Sequence, residues 1–278
     1  MRTKFFALIP WVILGCVLNP PGAGAAAGQQ GEQELVAPDI PAPVLAPEPP
    51  RPQTPTPAAL SPEERADIFM ARKSYSDAVD YYRRALNATG RKDAGLWNKL
   101  GIAYQQLLDY PAARKAYKEA TRRNPTFAEP WNNWGTTYYM ANQAKKSLKY
   151  YRKALQLSPN NASFHLNLGS SLYQIKKYPQ AVEEYRLALS LDPTILTEHS
   201  PVGTIIKART ADAKFFFYMA KVFASLGRAE EAVRYLRRAF EDGFNDQKLL
   251  DEDPDFKKIS EFPAYVELRK TPPKAIKD

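Results

Sequence analysis

A period constrains this 278-residue chain more than any other feature of its sequence. Gly101, Gly135 and Gly169 stand 34 residues apart, and whole patterns travel with them. Trp97, Leu100 and Tyr104 shift onto Trp131, Trp134 and Tyr138, then onto His165, Leu168 and Leu172. The second halves follow in step: Ala113, Tyr117, Ala120 and Pro125 map onto Ser147, Tyr151, Ala154 and Pro159, then onto Ala181, Tyr185, Ala188 and Pro193. A short unit repeated in register buries its apolar face against the next unit, not in one central core. Within each unit the apolar residues recur every three or four positions in two stretches, which predicts two amphipathic helices. Turns fall near "LLDY", "MANQ" and "QIKK", and Pro111 and Pro179 follow two of them. A proline in a first helical turn loses no hydrogen bond. A glycine inside a helix costs about 1 kcal/mol relative to alanine. Its recurrence places the small residues where two antiparallel helices cross closely, with Trp, Leu and Tyr packed around them.

This pattern, W-x2-L-G-x2-Y, then A and an aromatic, then P, over 34 residues, resembles the tetratricopeptide repeat. The resemblance implies an all-α, right-handed superhelical solenoid whose first helices line a concave, protein-binding groove. Ala78, Tyr82 and Ala85 continue the pattern upstream, with one extra residue in "NATGRKD". Ala232, Leu236 and Ala239 continue it downstream, after a 17-residue insertion "LTEHSPVGTIIKARTAD". About five hairpins are therefore expected over residues 61–245, near 61–92, 94–127, 128–161, 162–195 and 213–245, with an insertion at 196–212. Residues 246–278 are read as short helices that cap the last face, as a terminal unit must.

The first sixty residues have a different composition. Residues 1–25 read as a signal peptide: Arg2 and Lys4, the uncharged run "FFALIPWVILGCVL", the breakers "NPPG" and then small residues. The apolar run Phe5 to Leu18 has 14 residues, short of the roughly 20 that a spanning helix needs. Ala23-Gly24-Ala25 and Ala25-Ala26-Ala27 both suit ordinary cleavage. The alternative is "ILGC", which resembles a bacterial lipobox with Cys16 as the lipidated residue. Leu14 is an unusual residue in that setting, so ordinary cleavage is preferred. Residues 26–60 form a linker, and the stretch 37–57 holds nine prolines. Such a segment is an extended, disordered spacer. Cys16 is the single cysteine, so the chain does not rely on a disulfide.

Catalytic chemistry is thin. The chain has two histidines. His165 takes the tryptophan position of the repeat, which suits packing, and His199 falls in the insertion. No Walker loop, nucleophile elbow, H-E-x-x-H or paired-cysteine motif occurs. The acidic cluster "EDPD" at 252–255 reads as helix termini, not as a metal site. No enzyme, cofactor or metal is expected.

Binding residues are easier to find. Lys99, Asn133 and Asn167 each precede a Leu-Gly or Trp-Gly pair, so they share one offset in three consecutive repeats. Recurrent Asn there resembles the asparagine ladder with which some superhelical arrays grip a peptide backbone. An amide suits that role because it donates and accepts; simple tolerance of Asn on a wet helix face is the plainer reading. Asn98, Asn132, Thr136, Ser170, Tyr139 and Tyr173 are expected beside the row. Without leader and linker the chain has 36 basic and 26 acidic residues, a net charge of +10, much of it on the second helices. That serves solubility, or draws an acidic partner segment or an anionic envelope surface. Nucleic acid is not an expected partner, since no readout motif is present. The sequence thus reads as a non-catalytic, protein-binding scaffold of the cell envelope. Two alternatives are an envelope lipoprotein assisting outer-membrane or pilus assembly and a non-catalytic subunit of an exported enzyme complex.

Overall fold

The structure, a computed structural model, describes residues 60–196 and 212–276. The signal peptide, Cys16, nearly all of the proline-rich linker and most of the insertion, His199 included, lie outside the described residues. Within them the chain is all helix. Five antiparallel pairs follow one another: α1 Pro62–Ala71 with α2 Tyr75–Ala88, α3 Ala94–Gln106 with α4 Tyr110–Arg123, and α5 Ala128–Met140 with α6 Ala144–Leu157. Next come α7 Ala162–Gln174 with α8 Tyr178–Leu191, then α9 Ala213–Ser225 with α10 Ala229–Glu241. Three short helices finish the described chain: α11 Gln247–Glu252, α12 Pro254–Lys257 and α13 Pro263–Lys270. Helices pack within each pair and between successive pairs, with α3 on α5 and α5 on α7 in one layer. This is the helical solenoid that the period predicts.

Local chemistry sets the helix ends. Ser61 and Glu64 form a reciprocal capping box at α1. Asp93, Asp109, Asn161 and Asp212 each accept a backbone N–H in the first turn of α3, α4, α7 and α9. Inside every hairpin one residue takes left-handed backbone angles. These are Lys73, Leu108, Asn142, Lys176 and Gly227, with φ of 59°, 61°, 59°, 64° and 72°. The five share a place in the repeat but not a residue type, so no residue pattern announces the conformation.

The glycines mark the crossings. A β-carbon on Gly135 would lie 2.9 Å from the Tyr151 ring, and one on Gly169 2.8 Å from the Tyr185 ring. Gly101 stands in the same relation to Tyr117. These three tyrosines are fully buried in the second helices. The hydroxyls of Tyr151 and Tyr185 reach Thr136 (3.2 Å) and Ser170 (3.4 Å) on the facing first helix. Burying such a ring across a close crossing outweighs the helix penalty of one glycine.

At the far end, α11–α13 cover the last pair with Leu250, Phe256, Ile259, Tyr265 and Leu268, all buried. Phe217 of α9 stacks on Phe244 with centroids 4.3 Å apart and lies 5.6 Å from Phe256. Asp253, one of the "EDPD" acids, caps α12 and pairs with Lys221. No described helix is long and apolar enough to cross a membrane.

Candidate functional site

The Asn row is a connected structure. Asn133 Nδ2 on α5 donates to Asn98 Oδ1 on α3 at 3.1 Å. Asn167 Nδ2 on α7 donates to Asn132 Oδ1 on α5 at 2.9 Å. Asn132 Nδ2 then donates to Asn133 Oδ1 at 3.2 Å, which joins the two links into one chain across three first helices. Each amide has two N–H groups and two lone pairs. Asn133 and Asn167, both half-buried, therefore keep donors and acceptors beyond those used in the chain.

Lys99 continues the row on α3 but is already engaged. Its ammonium lies 2.8 Å from Glu63 Oε1 and 2.7 Å from Asp67 Oδ2, both on α1. Partial burial works against its charge, yet the bonds to Asp67 and Glu63 prevail and raise its pKa above the ordinary lysine range. Burial likewise works against ionised Asp67, but Lys99 and the Tyr82 hydroxyl at 2.5 Å hold it below the usual carboxylate range. The bias towards an acidic segment expected of Lys99 is therefore met within the chain, by α1.

The neighbours of the row divide. Asn98 and Asn132 are part of the hydrogen-bonded chain. Thr136 is half-buried and receives the Tyr151 hydroxyl. Ser170, 1% exposed, donates to the Leu166 carbonyl at 2.9 Å. Tyr139 and Tyr173 are buried, and the Tyr173 hydroxyl donates to Asp212 at 2.6 Å. Ser170, Tyr139 and Tyr173, expected on the binding face, thus belong to the packing beneath it. A period puts residues on a face but does not give their depth.

His165 does more than fill a tryptophan's space. The ring nitrogens of Trp97, Trp131 and His165 reach the carbonyls of Arg91, Pro125 and Pro159 at 3.0, 3.4 and 2.8 Å, always six residues upstream. In these three repeats the position supplies a ring N–H that pins the preceding loop, imidazole as well as indole. His165 Nδ1 also meets Glu184 Oε2 at 2.7 Å. Among the described residues no His, Cys, Asp or Glu group is arranged to hold a metal ion.

Comparison with family models identifies the repeat. The family model "Tetratricopeptide repeat" matches residues 94–127 and 162–195, and the model "TPR repeat" matches 135–176. The chain is a tetratricopeptide-repeat protein. Its class is that of protein-interaction scaffolds. Similar solved structures include MamA from Desulfovibrio magneticus RS-1, at 16% identity over 65% of this chain and 92% of that one, TM-score 0.47. PilF of Pseudomonas aeruginosa matches at 19% identity over 73% of this chain and 80% of its own, TM-score 0.47. YrrB, described as a TPR protein with an unusual peptide-binding site, matches at 18% identity, covering 68% and 89%, TM-score 0.44. No curated protein matches the sequence.

Proposed function

We propose that this protein is a non-catalytic scaffold that holds an extended segment of a partner protein along Asn133 and Asn167. The observation that carries this reading is the amide chain Asn98–Asn133–Asn132–Asn167, which lines three successive first helices and keeps spare hydrogen-bonding capacity. Packed helices lie about 8–10 Å apart, and an extended peptide advances about 3.3 Å per residue. Successive amides thus match backbone groups two to three residues apart. Each such bond nets about 0.5–1.5 kcal/mol. The test is to capture the partner by cross-linking and titrate it against Asn133→Ala/Asn167→Ala. Losing both amides is expected to weaken binding roughly 5- to 150-fold. Unchanged affinity with folding intact would place the site elsewhere.

The leader reading of residues 1–25 supports a place in the cell envelope, with the proline-rich stretch as tether. A mature chain that begins near Ala26 or Gly28 is expected on intact-mass measurement. An acylated N-terminus at Cys16 would favour the lipoprotein alternative instead.

A further inference from the structure

Arg114 stands where the repeat calls for an aliphatic residue. In register with it, the other second helices carry Val79, Leu148, Val182 and Val233, all buried. Arg114 instead lays its guanidinium over the Tyr138 ring, 4.8 Å from the centroid. Tyr138 stacks on Tyr150 at 5.2 Å, and Trp134 packs on the same Tyr150 at 4.6 Å. Trp134 is itself out of pattern, since the equivalent places hold Leu100, Leu168 and Met219. Arg114 Nη1 and Trp134 Nε1 are two of the three buried side-chain N–H atoms with no hydrogen-bond partner among the described residues. Both border one pair of tyrosines. A buried, unsatisfied donor costs about 1–3 kcal/mol, more when charged, and local departures of this kind concentrate where a chain does something besides fold.

The surroundings are strongly cationic. Helix α6 carries Lys145, Lys146, Lys149, Arg152 and Lys153 and no acid. Lys149 lies over Tyr150 at 4.7 Å and Lys146 over Tyr138 at 6.0 Å, so a flexible cationic side chain lies on each of the two tyrosines that the donors border. Glu119, the acid of α4, is taken by Arg122 and Arg123. The corresponding surface one repeat earlier differs: Arg83 donates to the Tyr104 hydroxyl at 2.5 Å, and Arg123 bonds Glu119 and the Arg91 carbonyl. Unspent donors and unspent charge coincide at α4–α6.

We propose that the α4–α6 face, centred on Arg114 and Trp134, is a second docking surface that takes an aspartate- or glutamate-rich segment of a partner protein. A carboxylate supplies the acceptors that both N–H groups lack, and charge-assisted bonds of this kind are the strong ones. A planar lipid surface would meet the exposed lysines but not the donors beneath them. Single-stranded nucleic acid binds by stacking bases on free aromatic faces. Here Trp131 stacks on Trp134, Trp134 packs on Tyr150, and Tyr150 stacks on Tyr138.

The test uses the whole chain and a fluorescein-labelled glutamate-rich peptide, titrated by anisotropy, with phosphatidylglycerol vesicles and an oligothymidylate as competing probes. Arg114→Leu and Trp134→Leu install the residue that neighbouring repeats carry, so both are expected to fold, Arg114→Leu with an unchanged or raised Tm and Trp134→Leu with a lowered one, since it gives up the packing on Trp131 and Tyr150. Each is nevertheless expected to weaken peptide binding about tenfold or more, the loss of one good hydrogen bond to a charged group. Arg152→Gln removes one exposed charge on α6 and is expected to weaken binding only about twofold, an effect that salt abolishes. Absence of peptide binding to the wild-type chain at low salt would overturn the proposal. So would equal losses in Arg114→Leu and Arg152→Gln, or a preference for vesicles or oligothymidylate over the peptide.

Discussion

The Tyr151 ring occupies the space where a β-carbon on Gly135 would stand, at 2.9 Å. Because that ring is fully buried, it cannot step aside without moving α6. Gly135→Leu is therefore expected to destabilise by at least about 1–3 kcal/mol, the usual range for overpacking. Chemical denaturation measures it. Pairing Gly135→Ala with Tyr151→Leu is expected to be less damaging than the sum of the two single changes, because the smaller side chain frees the crossing. Strict additivity would mean that the ring is not what excludes the β-carbon.

Leu108 holds φ at 61° and is 65% exposed, so its side chain contributes little to the core. The left-handed conformation costs a non-glycine residue roughly 1–2 kcal/mol. Leu108→Gly is expected to raise stability by about 0.5–1 kcal/mol, that relief less the extra freedom of an unfolded glycine. Gly227→Ala, at the same place in the last hairpin, is expected to lower it by about 1 kcal/mol or more. Thermal melts of the two variants should move in opposite directions.

Protonation of Asp67 should loosen α1. Its folded pKa lies below its unfolded value, near 3.9. It therefore contributes stability above about pH 4 that is lost as pH falls through the folded value. Lys99 runs the other way: its raised pKa contributes below the unfolded lysine value, near 10.4, and is lost as pH rises through the folded one. Asp67→Asn is expected to flatten the acid limb of stability against pH and leave the alkaline limb weakened. Stability measured from pH 2 to pH 12 in both proteins checks this.

His165→Trp should keep the bond to the Pro159 carbonyl, whereas His165→Phe should lose it. The phenylalanine variant is expected to be less stable than the tryptophan variant by about 1 kcal/mol, one net hydrogen bond. Hydrogen exchange at the start of α7 gives the local readout.

The solenoid is legible because its causes are periodic: Gly101, Gly135 and Gly169 face Tyr117, Tyr151 and Tyr185, and both sets recur every 34 residues. The site is legible only as a line. The offset shared by Lys99, Asn133 and Asn167 places them in a row, but the partners of Lys99 sit on α1, where no offset predicts Glu63 and Asp67. Depth is hidden as well, since Ser170 and Tyr173 share their offsets with half-buried Thr136 and Gln105 while packing decides their burial. The orphaned donors do carry a signal in the residues themselves. Arg114 breaks a column of Val and Leu, and a break of that kind stands out once the repeats are set in register.

Helix α1 fully buries only Ala66. Besides Ala66 and the stacking of Phe69 on Tyr81, it is fastened by Asp67 to Tyr82 and by Lys99 to Glu63 and Asp67. In a stack where each unit couples only to its neighbours, the weakest interface sets where cooperativity breaks. The ion pairs that tie α1 to α3 are screened by salt over roughly 8 Å at physiological strength. Ionic strength therefore acts on the end of the array: at high salt α1 is the first helix to let go, and the surface that remains is one helix shorter.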